Sequence, residues 1–147
     1  MSAETETHLF EVTNRDLDDL PDARGESVRA MLAADHGIEV ASVRVILGYQ
    51  VRTDLAEEEA DSMVQDLFVD PIIEFGTRFT HLLDDFPEAP EVAIQIGYKP
   101  GVTDNPGQAG LDGLLTLFPH HSEAKVATYR TYAFWGVPAN IDPKHLA

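Results

Sequence analysis

The residues best suited to chemistry in this 147-residue chain lie in a glycine-rich stretch ahead of a run of apolar residues. Lys99 could neutralise a phosphate, Gly101 would let the backbone approach it, and Thr103 offers a hydroxyl group. The phosphate-binding pattern G-x-x-x-x-G-K-[ST] is absent, however. Asp104 also precedes a predicted helix, and its carboxylate would compete with an anion for the first backbone N–H groups. We therefore interpret the stretch mainly as a turn that starts a helix.

Histidine and carboxylate side chains are the other candidates, because together they bind metals or transfer protons. None of the six histidines forms a His-x-x-x-His or Glu-x-x-His pair. His120 and His121 are adjacent, and adjacent side chains usually diverge, so we expect two surface histidines. Glu57, Glu58 and Glu59 are expected in the first turn of a helix, where acids interact favourably with the helix dipole. With no cysteine and no Ser-His-Asp set indicated, the sequence predicts neither a catalytic nor a metal-binding residue.

The composition limits the class of protein further. The chain has 26 acidic and 10 basic residues and a formal net charge of -16, which repels nucleic acid and anionic lipid. No apolar run approaches the ~20 residues that a transmembrane helix needs, and the first residues lack the features of a signal peptide. We expect a cytoplasmic protein that binds neither nucleic acid nor membrane.

The glycine-rich stretch lies between a predicted strand and a predicted helix. Apolar residues alternate from Val92 to Tyr98, which is typical of a half-buried strand. After Asp104, with Pro106 in the first turn, apolar residues recur at helical spacing: Leu111, Leu114, Leu115 and Phe118. Lys99 and Thr103 would therefore lie in the loop that connects a strand to a helix.

The same order of elements occurs earlier in the chain, at an offset of 82 or 83 residues. Asp22 precedes a helical stripe formed by Val28, Met31 and Leu32. The alternation from Val43 to Val51 predicts one bent strand or two short strands. A further apolar stripe predicts a closing helix that begins with the capping pair Asp54 and Glu57; the stripe comprises Ala60, Met63, Val64 and Leu67.

This repeat predicts an α+β fold made of two pseudo-symmetric β-α-β-β-α units, with antiparallel sheets and with helices packed on one face. The first unit spans residues 8–75, a linker spans 76–90, and the second unit spans 91–147. Residues 142–147 would open the second unit's last helix, so we expect most of that helix to belong to a longer polypeptide.

Two segments resemble the PurS-like module of phosphoribosylformylglycinamidine synthase. The segment KPGVTDNPGQAGLDGLL, residues 99–115, resembles the signature of that module, and LAEEEADSMVQDLFVDPIIE, residues 55–74, resembles the helix that closes its unit. Arg44 and Tyr49 fit the strands between these segments. The motif residues here are Lys99, Pro100, Gly101, Val102, Asp104, Pro106 and Gly107.

The resemblance implies a non-catalytic assembly module that bridges the synthase and glutaminase parts of the enzyme in de novo purine biosynthesis. Its partners would be the synthase catalytic domains, on the same or a separate polypeptide, and a glutaminase subunit or domain. Separate modules of the family dimerise, so a homodimer is also an expectation. ATP and Mg²⁺ would bind in the catalytic domains, with no cofactor on this chain, which belongs to a ligase but would have no activity alone.

The candidate contacts to substrate or partner are the motif loop and two arginines: Lys99, Pro100, Gly101, Val102, Thr103, Asp104, Asn105, Gly107, Arg44 and Arg130. Arg130 is included because it stands where the repeat has Leu47 in the first unit. The alternative function is a free-standing regulatory α+β domain that binds a small molecule, since such units often hold ligands at their sheet interface.

Overall fold

A computed structural model describes residues 7–14, 22–68, 74–78, 81–86 and 88–141. The strands are β1 (Thr7–Asn14), β2 (Ser42–Arg52), β3 (Glu74–Arg78), β4 (Val92–Gly97) and β5 (Lys125–Trp135). The helices are α1 (Ala23–His36), α2 (Glu57–Met63) and α3 (Asn105–Leu117). A π-helical turn at Val64–Phe68 and a 3₁₀ turn at Leu82–Asp85 complete the described elements. The α+β class predicted from the sequence is confirmed.

All five strands form one antiparallel sheet in the order β3-β1-β2-β5-β4. The central strands β2 and β5 pair along their whole length, from Ser42 opposite Trp135 to Arg52 opposite Lys125. The middle of this pairing is Leu47 opposite Arg130. Each central strand is preceded along the chain by a helix and by the strand that pairs with its other side, so β1-α1-β2 and β4-α3-β5 meet at the centre of the sheet.

The helix boundaries follow from local capping chemistry. The side chain of Asp22 accepts the N–H of Arg24 at the start of α1, and Gly37 ends this helix with φ 64°. Asp104 accepts the N–H of Gly107 at the start of α3, with a proline in the first turn. Glycine suits the end of α1 because a side chain is unfavourable at this positive φ.

The face of the sheet that carries the helices contains two hydrophobic clusters. One joins Phe10 and Val51 of the sheet to Met63 of α2 and Leu114 of α3. The other packs Leu32 of α1 against sheet residues that include Val43 and Phe134. Alternate residues along each strand thus bury one face of the sheet, as a period of two requires.

The opposite face is covered in part by the segment 81–86. Leu82 is only 1% exposed, and Ile46 of β2, which points to this side, is fully buried. The predicted linker therefore contributes to the core. It also begins within β3, because that strand crosses the predicted unit boundary after residue 75.

Several local predictions are wrong. Residues 42–52 form one continuous strand, the first of the two alternatives for this stretch, so the β-α-β-β-α order, which needs two consecutive strands there, is not present in the first half; β5 is likewise continuous. The cap of α2 is Ala56, whose N–H is accepted by Glu59, and not the pair Asp54 and Glu57. Met31 is 47% exposed, because α1 turns Leu32 to the sheet instead.

Two predictions lie outside the described residues: the segment 70–73 that ends the closing helix, and the helix opening at 142–147. Within the described ranges, no helix is both long and apolar enough to cross a membrane.

Candidate functional site

The motif loop is an exposed turn between β4 and α3. The carbonyl of Lys99 accepts the N–H of Val102 at 3.0 Å, which closes a β-turn around Pro100 and Gly101. Gly101 has φ 86°, a value that side chains disfavour, so glycine is required at this corner. Val102 is 56% exposed, and Thr103 is also exposed. The loop is therefore open to a partner.

Asp104 anchors the start of α3 to β5. Its Oδ1 accepts the Gly107 N–H at 2.8 Å and the Thr128 hydroxyl at 2.6 Å, and its Oδ2 accepts the Thr128 N–H at 2.6 Å. The carboxylate already occupies the helix N-terminus, where a phosphate would otherwise bind. This geometry supports the interpretation of the stretch as a helix-starting turn. Asn105 is the first residue of α3 and is exposed.

A groove of about 410 Å³ lies beside the motif on the helix-bearing face, over the centre of the β2–β5 pair. It combines one exposed guanidinium with aromatic and aliphatic walls. The principal lining residues are Leu47, Tyr49, Ile96, Tyr98, Arg130 and Tyr132. The groove thus adjoins Gly97 and Pro106, on either side of the motif loop.

The two candidate arginines do not converge. Arg130 lines the groove, whereas Arg44 donates to the carbonyl of Asn14 at 2.7 Å and lies 5.5 Å from the ring of Phe86. Phe86 belongs to the segment that covers the opposite face, so Arg44 holds that segment and β1 in place. The two arginines named as candidate contacts from the sequence therefore lie on different faces of the sheet.

A buried carboxylate on the opposite face is a feature that sequence reasoning missed. Glu11 of β1 is only 2% exposed. Its Oε1 accepts the N–H of Leu82 at 2.7 Å, and its Oε2 accepts the hydroxyl of Tyr129 at 2.5 Å and lies 3.3 Å from Nδ1 of His81. Gly48 lies between Glu11 and Tyr129 in the sheet, and a Cβ there would stand 2.0 Å from the Tyr129 ring.

These contacts make Glu11 a structural group, because protein donors occupy both of its oxygens. Burial, and next the hydrogen bond to Glu11, raise the pKa of Tyr129 well above its ordinary value. The tyrosine therefore remains a neutral donor across the physiological pH range. A cavity of about 240 Å³ adjoins Glu11 and His81 on this face.

A second missed cluster brings one carboxylate and two imidazoles together. Nε2 of His120 lies 3.0 Å from Oε2 of Glu59, and Nε2 of His121 lies 2.9 Å from the same oxygen. The two imidazole centroids are 4.2 Å apart. The expectation that these two side chains diverge is thus wrong, because both rings turn toward Glu59. The side chain of His120 is at the surface, as expected, with 65% exposed, whereas that of His121 is only 10% exposed.

Outer contacts hold two members of this cluster. Oγ1 of Thr53 lies 3.0 Å from Nδ1 of His121, and Oε1 of Glu59 accepts the N–H of Ala56 at 3.1 Å. Burial alone would raise the pKa of Glu59, but the hydrogen bonds from Ala56 and His121 and the charges of the two histidines bring it below its ordinary value. The Glu59 carboxylate is therefore held in its ionised form.

Neither cluster had a local signal in the sequence. Glu59 lies in α2, more than 60 positions before the two histidines. The sequence motifs for metal sites that were considered contain only ligands a few residues apart, so they do not include this set. The turn that ends α3, in which the N–H of His121 is accepted by Phe118, aims both imidazoles at α2. Only the packing of α3 against the π-helical turn after α2 brings these residues together.

Comparison of the chain with protein-family models, with curated proteins and with solved structures finds no match in any of the three.

Proposed function

We propose that this chain is a non-catalytic assembly module of phosphoribosylformylglycinamidine synthase, related to the tandem PurS-like region that bridges its synthase and glutaminase parts. The motif at Lys99–Asp104 suggests the family, and its exposure on a turn suits a contact surface. The Glu11 cluster has both carboxylate oxygens engaged by protein donors, which fits a scaffold better than an active site.

The observation that carries the proposal is the repeated attachment of each helix to its central strand. Oδ2 of Asp22 accepts the N–H of Val45 at 2.9 Å, just as Oδ2 of Asp104 accepts that of Thr128. The aspartates are 82 positions apart and their partners 83. A Cβ on Gly25 would meet the carbonyl of Val43, and one on Gly107 that of Val126, again with these offsets.

This repetition supports two pseudo-symmetric units whose approximate dyad passes near the Leu47–Arg130 pair. A tandem chain of this kind would replace the dimer formed by separate modules. Its two halves share one sheet, so each supplies the hydrophobic partner that the other needs.

The surface for the synthase domains would lie at the β4 end of the sheet. Ile96, Tyr98 and Val102 are 49%, 46% and 56% exposed, and they stand close together along β4 and the motif loop. Strand β4 is also at the end of the described sheet, where its free backbone groups can accept another strand. Exposed apolar side chains beside such an edge favour a protein partner.

The test is a binding measurement between the tag-free chain and separately purified synthase and glutaminase domains from the same organism. We expect a 1:1 complex, and Val102→Asp should weaken it at least about tenfold, the effect of placing a charge in an apolar contact. Gln108→Asp, at a position that is also exposed and lies one turn into α3, should bind like the parent chain. Failure of the parent chain to bind either domain would overturn the proposal.

The groove favours a second function, a regulatory domain that binds a small anionic molecule. Its volume of about 410 Å³ lies within the usual range for ligand pockets, and Arg130 could pair with an anion among aromatic rings. A thermal-shift screen of nucleotides and amino acids on the isolated chain tests this function. A hit that Arg130→Gln abolishes, together with no binding to synthase domains, would favour it over the assembly module.

A further inference from the structure

The cluster of Glu59, His120 and His121 has the composition of a transition-metal site. All three ligand atoms lie within 4.8 Å of one another. Two imidazole nitrogens and one carboxylate oxygen are a donor set that binds Zn²⁺ in proteins. A tetrahedral zinc would place its ligand atoms roughly 3.3 Å apart at the usual bond lengths, so the observed distances of 2.9 and 3.0 Å need to open only slightly.

The outer contacts are also those of a metal site. Ligating histidines generally donate their second ring nitrogen to an oxygen, which fixes the tautomer. Thr53 is 8% exposed, and its hydroxyl oxygen, 3.0 Å from Nδ1 of His121, is the oxygen next to the second ring nitrogen of this histidine. Its hydroxyl can donate to Nδ1 when Nε2 carries the proton, and can accept from Nδ1 when Nε2 binds a metal.

The carboxylate of Glu59 is likewise held in place by a contact outside the three ligands. The Ala56 N–H holds Oε1 of Glu59 and leaves Oε2 directed at both imidazoles. The ring centroid of Phe118 lies 6.1 Å from that of His120 and 6.2 Å from that of His121, both in edge-to-face geometry, which supports the imidazole positions from the α3 side. The formal charge of -16 also concentrates cations around the chain.

We propose that Glu59, His120 and His121 bind one divalent transition-metal ion of the zinc class. The ion joins α2 of the first half to the turn after α3 of the second, so it clamps the two halves of the chain together. His120, 65% exposed, faces solvent, and the fourth coordination position is left to water or to a ligand from outside the cluster. This proposal stands independently of the assembly function.

The test uses the tag-free, chelator-treated chain titrated with Zn²⁺ by calorimetry, with Mg²⁺ as the comparison ion. We expect one zinc per chain and a rise in melting temperature of roughly 5–10 °C at a zinc concentration of 100 times the Kd. Co²⁺ should give the intense visible absorption of a four- or five-coordinate site. Mg²⁺ should produce neither effect, because it prefers oxygen ligands.

His120→Ala removes an exposed ligand, and Glu59→Gln retains an oxygen for the Ala56 N–H, so both variants should fold. Each should weaken zinc binding by more than about tenfold, and Thr53→Val should weaken it about tenfold by loss of the outer contact. The matched controls Glu58→Gln and His36→Ala, both exposed, should bind as the parent does. Absence of zinc binding, several weak ions per chain, or equal affinity in His120→Ala and the parent would overturn the proposal.

Discussion

The two β-α-β halves start their helices with the same contacts but are covered differently. Asp22, in the first half, is 3% exposed and also accepts the side-chain amide of Asn14 at 2.7 Å. Asp104, in the second half, is only half-buried beside an open loop. Strand β1 lies between β2 and β3, whereas β4 has one described neighbour, β5.

The difference shows how one local arrangement can serve two purposes. In the first half, the aspartate and its glycine lie within the core, so they contribute mainly to stability. In the second half, the same contacts support a loop whose side chains face outward. Substitutions at matched positions should therefore affect folding more in the first half and association more in the second.

The largest expected difference is between Gly25→Ala and Gly107→Ala. A Cβ at Gly25 would lie 1.8 Å from the carbonyl oxygen of Val43, whereas one at Gly107 would lie 2.8 Å from that of Val126. We expect losses in the free energy of unfolding of about 3 kcal/mol or more for Gly25→Ala and about 1–2 kcal/mol for Gly107→Ala. Urea denaturation measures both losses.

Gly97→Ala is the control for these glycine substitutions, because among the described residues no atom other than those of Gly97 and its two chain neighbours lies within 4 Å of the added Cβ. It should change stability by less than about 0.5 kcal/mol. Equal losses in the free energy of unfolding for Gly25→Ala and Gly107→Ala would contradict this comparison, because the two helix starts would then tolerate an added side chain equally well.

A smaller difference is expected between Asp22→Ala and Asp104→Ala. Both lose a helix cap, at about 1 kcal/mol. Asp22→Ala also leaves the buried N–H of Val45 without its acceptor, which costs about 1–3 kcal/mol more, whereas water can reach the half-buried Thr128. Asparagine at either position should restore part of the loss. A greater loss from Asp104→Ala than from Asp22→Ala in urea denaturation would reverse the comparison.

The smallest effect concerns the hydrogen bond between β1 and β5 across the covered face. Tyr129→Phe removes the donor to Glu11, and we expect a loss of about 1–2 kcal/mol at neutral pH. Because the pKa of Tyr129 is higher in the folded than in the unfolded chain, its contribution is complete below about pH 10 and is lost as pH rises above that value.

Urea denaturation at several pH values between 8 and about 11 checks this dependence. The parent chain should lose stability faster than Tyr129→Phe as the pH rises. Tyr98→Phe, at an exposed tyrosine, should follow the parent. Parallel curves for the parent and Tyr129→Phe would contradict the proposed role of the hydrogen bond.

Local signals in the sequence predicted the elements that local chemistry controls. Asp104 and Pro106 predicted the start of α3, and the alternation from Val92 predicted β4, because capping and strand periodicity involve neighbouring residues. The alternation from Val43 to Val51 likewise predicted a strand. It did not decide between one continuous strand, which the structure has, and two short strands.

The candidate sites could be predicted only in part, because they depend on which segments cover each other. Glu11 alternates with Phe10 and Val12 and so has the pattern of a solvent-facing residue, but the segment 81–86 covers it. Glu59 and His121 meet through the packing of α3, which no short spacing reveals.

Reconstitution of glutamine-dependent formylglycinamidine ribonucleotide synthesis from purified synthase and glutaminase domains is the decisive test of the proposed assembly role. We predict that these domains convert glutamine, ATP and substrate slowly without the chain, that activity rises until one chain is present per synthase domain, and that the chain alone has no activity. Full activity in its absence, unchanged when it is added, would contradict the account.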